Sequence, residues 1–257
     1  MKVIFIRKSN LLYLLLIITA LFFIIVNAIF TGEYLAQAST QYKEDIPIYS
    51  VETQNKKCAI TFDCAWGASD IPNIIKSLDE YKAKATFFIV GAWAEKYPDM
   101  VKLISDKGHE VANHGYGHLH MASMPEAKIS EEITRCSSVL KEITGQKIGL
   151  FRAPYGEYDS ALIKSASRLG YKSIQWDCDS LDWKRDMSAN AIYNRVMKNI
   201  SSGSVILFHN DTLYTEDVLP DILKSLNEKG FECVTVSDLL IKDNYRIRYD
   251  GRQMPNE

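Results

Sequence analysis

Two histidines four residues apart, His114 and His118, can turn both imidazoles toward one metal ion if the chain between them is helical or tightly looped. The two glycines between them, Gly115 and Gly117, favour a loop, because they permit backbone angles that other residues avoid. A lone pair of this spacing is more often two unrelated polar residues than a site. Other ionisable residues recur along the chain, each just after a short apolar, β-prone run. Asp63 follows the run from Cys58 to Phe62, and Arg152 follows Ile148 to Phe151. Asp179 and Asp182 come after Tyr171 to Trp176, and His209 comes after Ser204 to Phe208.

The elements that must position these residues alternate. Strands are predicted at 58–62, 85–90, 109–112, 148–151, 171–176, 204–208 and 231–236. Helices are predicted over 70–81, 98–107, 125–144, 159–169, 188–200 and 215–229, several closed by a glycine and one opened by Ser188 as N-cap. Seven strands with helical crossovers describe an α/β parallel sheet. A doubly wound open sheet and a closed (β/α) barrel share that signature, and no G-x-G-x-x-G follows the first strand to favour the open form. A barrel gathers the C-terminal strand ends around one mouth. Reactive residues at the same end of each strand therefore point to one site.

Ahead of this pattern, residues 11–30 form an apolar run of about the length that spans a bilayer, with Lys2, Arg7 and Lys8 on its N-terminal side. The charges predict a short cytoplasmic N-terminus (1–10), a single-pass signal anchor (11–30) and an extracytoplasmic remainder. The alternative is secretion after cleavage near Ala38, since Ala36-Gln37-Ala38 has the A-x-A form. Residues 31–56 read as a polar linker, 57–240 as one domain and 241–257 as a charged, poorly packed tail. With 30 basic and 32 acidic residues the formal charge is −2, which gives no support for nucleic-acid binding. The five cysteines are widely spaced and odd in number, so they do not form a disulfide framework.

Taken in order, Thr61-Phe62-Asp63, His114-x-x-x-His118, Arg152-Ala153-Pro154-Tyr155, Asp179-Ser180-Leu181-Asp182-Trp183 and Leu207-Phe208-His209 resemble the five motifs of the polysaccharide deacetylase family, the NodB-like carbohydrate esterases of family 4. Trp66-Gly67 and His209-Asn210 resemble its spore-associated, membrane-anchored branch. The resemblance implies a distorted (β/α) barrel of about seven parallel strands that binds one divalent metal, zinc being the expected ion. It also implies removal of N-acetyl groups from the amino sugars of a cell-wall or spore polysaccharide, peptidoglycan or chitin-like. Asp63 matches the general base, His209 the general acid, and His114 and His118 the metal ligands. Arg152 matches the residue that holds the base, Asp182 the one that tunes the acid, and Tyr155 the backbone donor to the oxyanion. Trp183, Leu207 and Pro154 match positions that bind substrate.

The chemistry agrees with these roles. An amide is a poor electrophile, so a metal helps by activating water and polarising the carbonyl. A base and an acid with opposite protonation needs must then act together. Arg152 would keep Asp63 ionised, and Asp182 would raise the pKa of His209. Two departures from the family pattern stand out. Cys64 occupies the place of a metal-binding aspartate, and Gly115 that of a serine or threonine. Cys64 is either a thiolate ligand or a small apolar packing residue. The expected partners are an N-acetylated glycan and, through the N-terminal helix, a membrane; the domain is expected to be monomeric. The rival reading is a catalytically weak carbohydrate-binding or sporulation morphogenetic protein on the same barrel.

Overall fold

The structure is a computed structural model that describes residues 17–28 and 45–256. Residues 17–28 are helical (α1) and belong to a separate unit from the one that starts at Asp45. Among the described residues no helix is long and apolar enough to cross a membrane. The rest of the expected 11–30 span, residues 1–10 and most of the linker lie outside the described residues.

The large unit is built on β2 (Lys57–Cys64), whose residues beyond Lys57 are all buried. Side chains alternate along a strand, so each face of β2 serves a different layer. Cys58, Ile60, Phe62 and Cys64 enter the core between sheet and helices, while Ala59 joins the cluster inside the curl of the sheet. Phe62 stacks on Phe87 at 4.9 Å and on Phe208 at 5.8 Å, its in-register neighbours on the two flanking strands. Such contacts contribute about 0.5–1.5 kcal/mol each beyond burial.

From β2 the chain runs through α2 (Ile71–Glu80), β3 (Ala85–Ile89), α3 (Gly91–Lys96), α4 (Pro98–Asp106), β4 (Glu110–Asn113) and α5 (Glu126–Thr144). It continues through β5 (Leu150–Phe151), a 3-10 turn (Pro154–Gly156), α6 (Ser160–Arg168), β6 (Lys172–Ser173) and β7 (Cys178–Asp179). Then come α7 (Ala189–Asn199), β8 (Val205–His209), α8 (Thr215–Glu228), β9 (Glu232–Cys233) and α9 (Val236–Leu239). α2 buries Ile71, Ile74, Ile75 and Leu78, and α5 buries Ile129, Ile133, Cys136 and Leu140, with Val139 and Ile143 only partly covered. Asp159 and Ser188 cap α6 and α7 through side-chain oxygens, and Gly145 closes α5 in the left-handed region at φ 69°.

The sheet order is β6-β5-β4-β3-β2-β8-β7, with β9 paired to the start of β2. Every neighbouring pair along it is parallel. The sheet curls without closing, a half-barrel consistent with the expected distorted (β/α) barrel of about seven strands. Its two ends, β6 and β7, are only two residues each, and the chain between them meets Ile48 in a bridge to Ile174.

Two expected boundaries change. The domain begins at Asp45 rather than Lys57, because Ile48 and Val51 plug the inside of the curl beside Ala59 and Phe88. The tail is not poorly packed. Residues Tyr245–Ile247 (β10) and Arg252–Pro255 (β11) form a hairpin that pairs with β1 (Ser50–Val51). Gln253, fully buried, accepts from the Ile241 N–H and donates to its carbonyl, both at 2.9 Å. Gly251, at φ 80°, lies so close to Tyr49 that a Cβ would strike the ring.

Candidate active site

Asp63 stands near the C-terminal end of β2 on the inner face, directly in register with His209 on β8. Arg152, just beyond β5, is wholly buried and donates from Nη1 to Asp63 Oδ1 at 2.6 Å and to Thr61 Oγ1 at 2.9 Å. Its other groups reach the Ile174 and Gln175 carbonyls, and its plane lies 3.9 Å from the Phe88 ring centre. Burial alone would push the Asp63 carboxyl up, but the charges of Arg152, His114 and His209 outweigh it and hold the pKa below the usual value. Asp63 is a carboxylate with its proton removed in advance.

The histidine loop follows β4 and is braced from both ends. Asn113 Oδ1 accepts from the Gly115 N–H at 2.8 Å, and Gly115 takes φ 73°. Glu132 on α5 accepts from the Tyr116 and Gly117 N–H groups at 3.0 and 2.8 Å. His114 Nδ1 lies 2.8 Å from the Arg152 carbonyl, which can only accept, so this nitrogen carries the proton. Nε2 then presents a lone pair toward Asp63 Oδ2, 3.5 Å away. The His118 ring sits 5.2 Å from that of His114, and its buried Nδ1 has no hydrogen-bond partner. Burial lowers the pKa of both rings, that of His118 to about 4 with the neighbouring His114 adding to the effect. Both imidazoles are therefore neutral, the state a metal requires.

Among the described residues no three His, Cys, Asp or Glu side chains form a ready ligand set. The donors that suit a divalent metal are the two histidines, one with a free lone pair and one with an orphaned nitrogen. Cys64 is not with them. Strand alternation turns its thiol away from Asp63 into the core with Phe62 and Ile89, and burial, with the nearby charges of Asp70 and Asp63, pushes its pKa well up. Of the two readings for this residue, the structure supports packing.

His209 donates from Nδ1 to Asp182 Oδ1 at 2.8 Å. Asp182 Oδ2 accepts from the His209 N–H at 2.7 Å and from Thr215 Oγ1 at 2.6 Å, which fixes the carboxylate. Burial disfavours the imidazolium, but the Asp182 hydrogen bond and charge prevail and the His209 pKa is raised. One cleft of about 480 Å³ is lined by Asp63, His114, His118 and His209, with Leu207, Trp183, Trp66, Trp176 and Tyr155 among its walls. Pro154 is absent from that lining; it is buried beside Gly115 under the histidine loop.

Tyr155 holds φ 61° inside the 3-10 turn, a conformation rare for a non-glycine residue. At the second position of the turn its N–H has no acceptor within the helix and is available to a ligand. Its ring stacks on His120 at 4.0 Å and meets the His118 edge at 4.6 Å. His120 itself pairs with Glu157, and His109 is a neutral core residue against Phe87. Asp179 lines the cleft and also caps its own loop through the Leu181 N–H.

Sequence reasoning missed Trp176, Glu132 and Thr215. Thr215 opens a predicted helix, which could have suggested a buried hydroxyl near the acid. Nothing in the local pattern singles out Glu132, one of several acids on α5.

Residues 50–174 match the family model described as polysaccharide deacetylase. A peptidoglycan-N-acetylglucosamine deacetylase of Bacillus cereus is 34% identical over 197 residues, covering 75% of this chain and 92% of that protein. Among solved structures, a peptidoglycan N-acetylglucosamine deacetylase in complex with 4-naphthalen-1-yl-N-oxidanyl-benzamide superposes with TM-score 0.72 at 32% identity, over 75% of this chain and 92% of that one. A family 4 carbohydrate esterase pseudoenzyme from Bacillus anthracis gives TM-score 0.73 at 28% identity, over 81% of this chain and 70% of its own. The fold and site define a NodB-like hydrolase. The chain belongs to the polysaccharide deacetylase family.

Proposed function

We propose that the chain removes N-acetyl groups from amino sugars of cell-wall or spore peptidoglycan. The observation that carries the reading is the pairing of Asp63 with Arg152 and of His209 with Asp182 across one cleft. These pairs hold a base without its proton and an acid with its proton, the two states that amide hydrolysis needs. Asp63 takes the proton from the attacking water, and His209 passes one to the departing amine. The Tyr155 N–H stabilises charge on the acetamide oxygen as it develops. Leu207 and Trp183 wall the space for the acetyl methyl group. His114 and His118 would hold a divalent metal, zinc by their chemistry, and when bound it supplies Lewis acidity to water and carbonyl.

Acetate release from peptidoglycan fragments and N-acetylglucosamine oligomers tests the reading. Asp63→Asn and His209→Ala should each cut turnover by roughly 10²–10⁴-fold with the fold retained. Near wild-type rates in either variant remove that residue from the mechanism.

Two observations favour a second reading, a catalytically weak glycan-binding protein: Cys64 offers no third ligand, and a solved relative is a pseudoenzyme. Glycan binding by metal-loaded protein without acetate release would establish it. The chain is further proposed to be an extracytoplasmic enzyme on a single-pass anchor at 11–30, on the strength of Lys2, Arg7 and Lys8 ahead of the apolar run. Membrane fractionation with intact mass decides this, and soluble protein starting at Ser39 would refute it.

A further inference from the structure

At the opposite end of β2 from Asp63, the strand pairing sets Cys58 directly in register with Cys233 of β9. Their sulfurs lie 3.7 Å apart although the residues are 175 positions apart in the chain. We propose that Cys58 and Cys233 form a redox-active dithiol that closes to a disulfide when it meets a disulfide oxidant, stapling β9 to β2, the first barrel strand.

The surroundings hold the two thiols in place before any bond forms. β9 is fastened to β2 by the Glu232 N–H to the Lys56 carbonyl at 2.8 Å and the Val234 N–H to the Cys58 carbonyl at 2.9 Å. A Lys57–Glu232 ion pair at 3.3 Å adds to the seam. Closure needs the sulfurs to move from 3.7 Å to about 2.0 Å, a shift within reach of side-chain rotation across adjacent strands.

The two cysteines are unequal, and the difference sets the order of events. Cys58 is fully buried. Cys233 is partly exposed and lines a surface pocket of about 270 Å³ walled by Tyr81, Ala83, Leu223 and Phe231. An oxidant can reach only the outer thiol. The Cys233 thiolate attacks one sulfur of the oxidant, forming a mixed disulfide and releasing one reduced thiolate. Cys58 loses its proton and attacks the Cys233 sulfur, forming the internal bond and expelling the second thiolate. Two electrons pass to the oxidant and two protons leave the protein. A third cysteine, Cys178, is also buried nearby, but its sulfur is directed to the Val196 carbonyl at 3.9 Å.

The test uses the full chain, reduced and then exposed to oxidised glutathione. After denaturation without reduction, alkylation and peptide mapping should find Cys58 joined to Cys233 and an intact mass lower by about two mass units. The melting temperature should rise by about 5 °C or more, because the bond closes a long loop in the unfolded chain. Cys58→Ser should trap glutathione on Cys233, and Cys233→Ser should abolish both adduct and bridge. Wild-type protein in which both cysteines stay fully alkylatable overturns the proposal, as does a bridge involving Cys178. The mapping of wild-type protein decides the matter even if a variant fails to fold.

Discussion

Asp63 and His209 stand side by side in register on β2 and β8, and each is tied to a buried charged partner that shifts its pKa in the opposite direction from the other's. Arg152 favours the ionised carboxyl, whereas Asp182 favours the protonated imidazole. The adjacency comes from parallel pairing, and the contrast comes from the two loops that supply the partners.

Removing Arg152 should hurt stability as well as catalysis. Arg152→Met leaves the Asp63 carboxylate buried without its counter-charge, an expected loss of about 3–5 kcal/mol in urea unfolding. Adding Asp63→Asn should restore part of it, since no charge then remains unpaired. The Asp63 pKa is depressed below its ordinary 3.8, so its contribution to stability is present above that value and fades as pH falls through the depressed one. Acid unfolding of Asp63→Asn should lack this component. A double variant no more stable than Arg152→Met would contradict the account.

The acid should respond to Asp182. The His209 pKa is raised above the ordinary 6.5, so its stabilising contribution is full below 6.5 and disappears as pH climbs through the raised value. Asp182→Asn should shift the alkaline limb of the kcat profile to lower pH and flatten the stability profile over the same window. An alkaline limb that stays in place would mean that His209 is not the proton donor.

Metal binding should depend on the histidines and ignore Cys64. His118→Ala is expected to weaken zinc affinity at least about tenfold. Cys64→Ala should leave zinc affinity unchanged in chelator competition and cost only about 1 kcal/mol of stability. Loss of zinc affinity in Cys64→Ala would put the thiol in the metal shell.

The tail should prove structural. Ending the chain after Leu240 removes the Gln253 bonds to Ile241 and the β1–β11 pairing that covers the plug at Ile48 and Val51. The melting temperature should fall by about 5 °C or more. A truncated protein that melts with the full chain would show that the hairpin packs without stabilising the domain.

Much of the architecture is written in local pattern. The strands that carry Asp63 and His209 are apolar runs with a polar stop, and Asp159, Ser188 and Gly145 mark helix ends by their own chemistry. The placement of Asp63, His114, His118, Arg152, Asp182 and His209 at strand ends was readable for the same reason, since a parallel βα unit always delivers its loop to one side. Cys64 was not readable, because its direction depends on whether β2 continues one residue past Asp63, and the pairing of Cys64 with Ile89 on β3 decides that. β6 and β7, two residues each, are strands only by virtue of their neighbours, and a charged tail became a hairpin because β1 offered it an edge. Glu132 under the histidine loop, Thr215 on Asp182 and Cys233 against Cys58 are likewise meetings of residues distant in the chain. Periodicity and caps act within a few residues and can be read from them. Contacts between distant segments are set by how the whole sheet curls, and only the tertiary structure decides those.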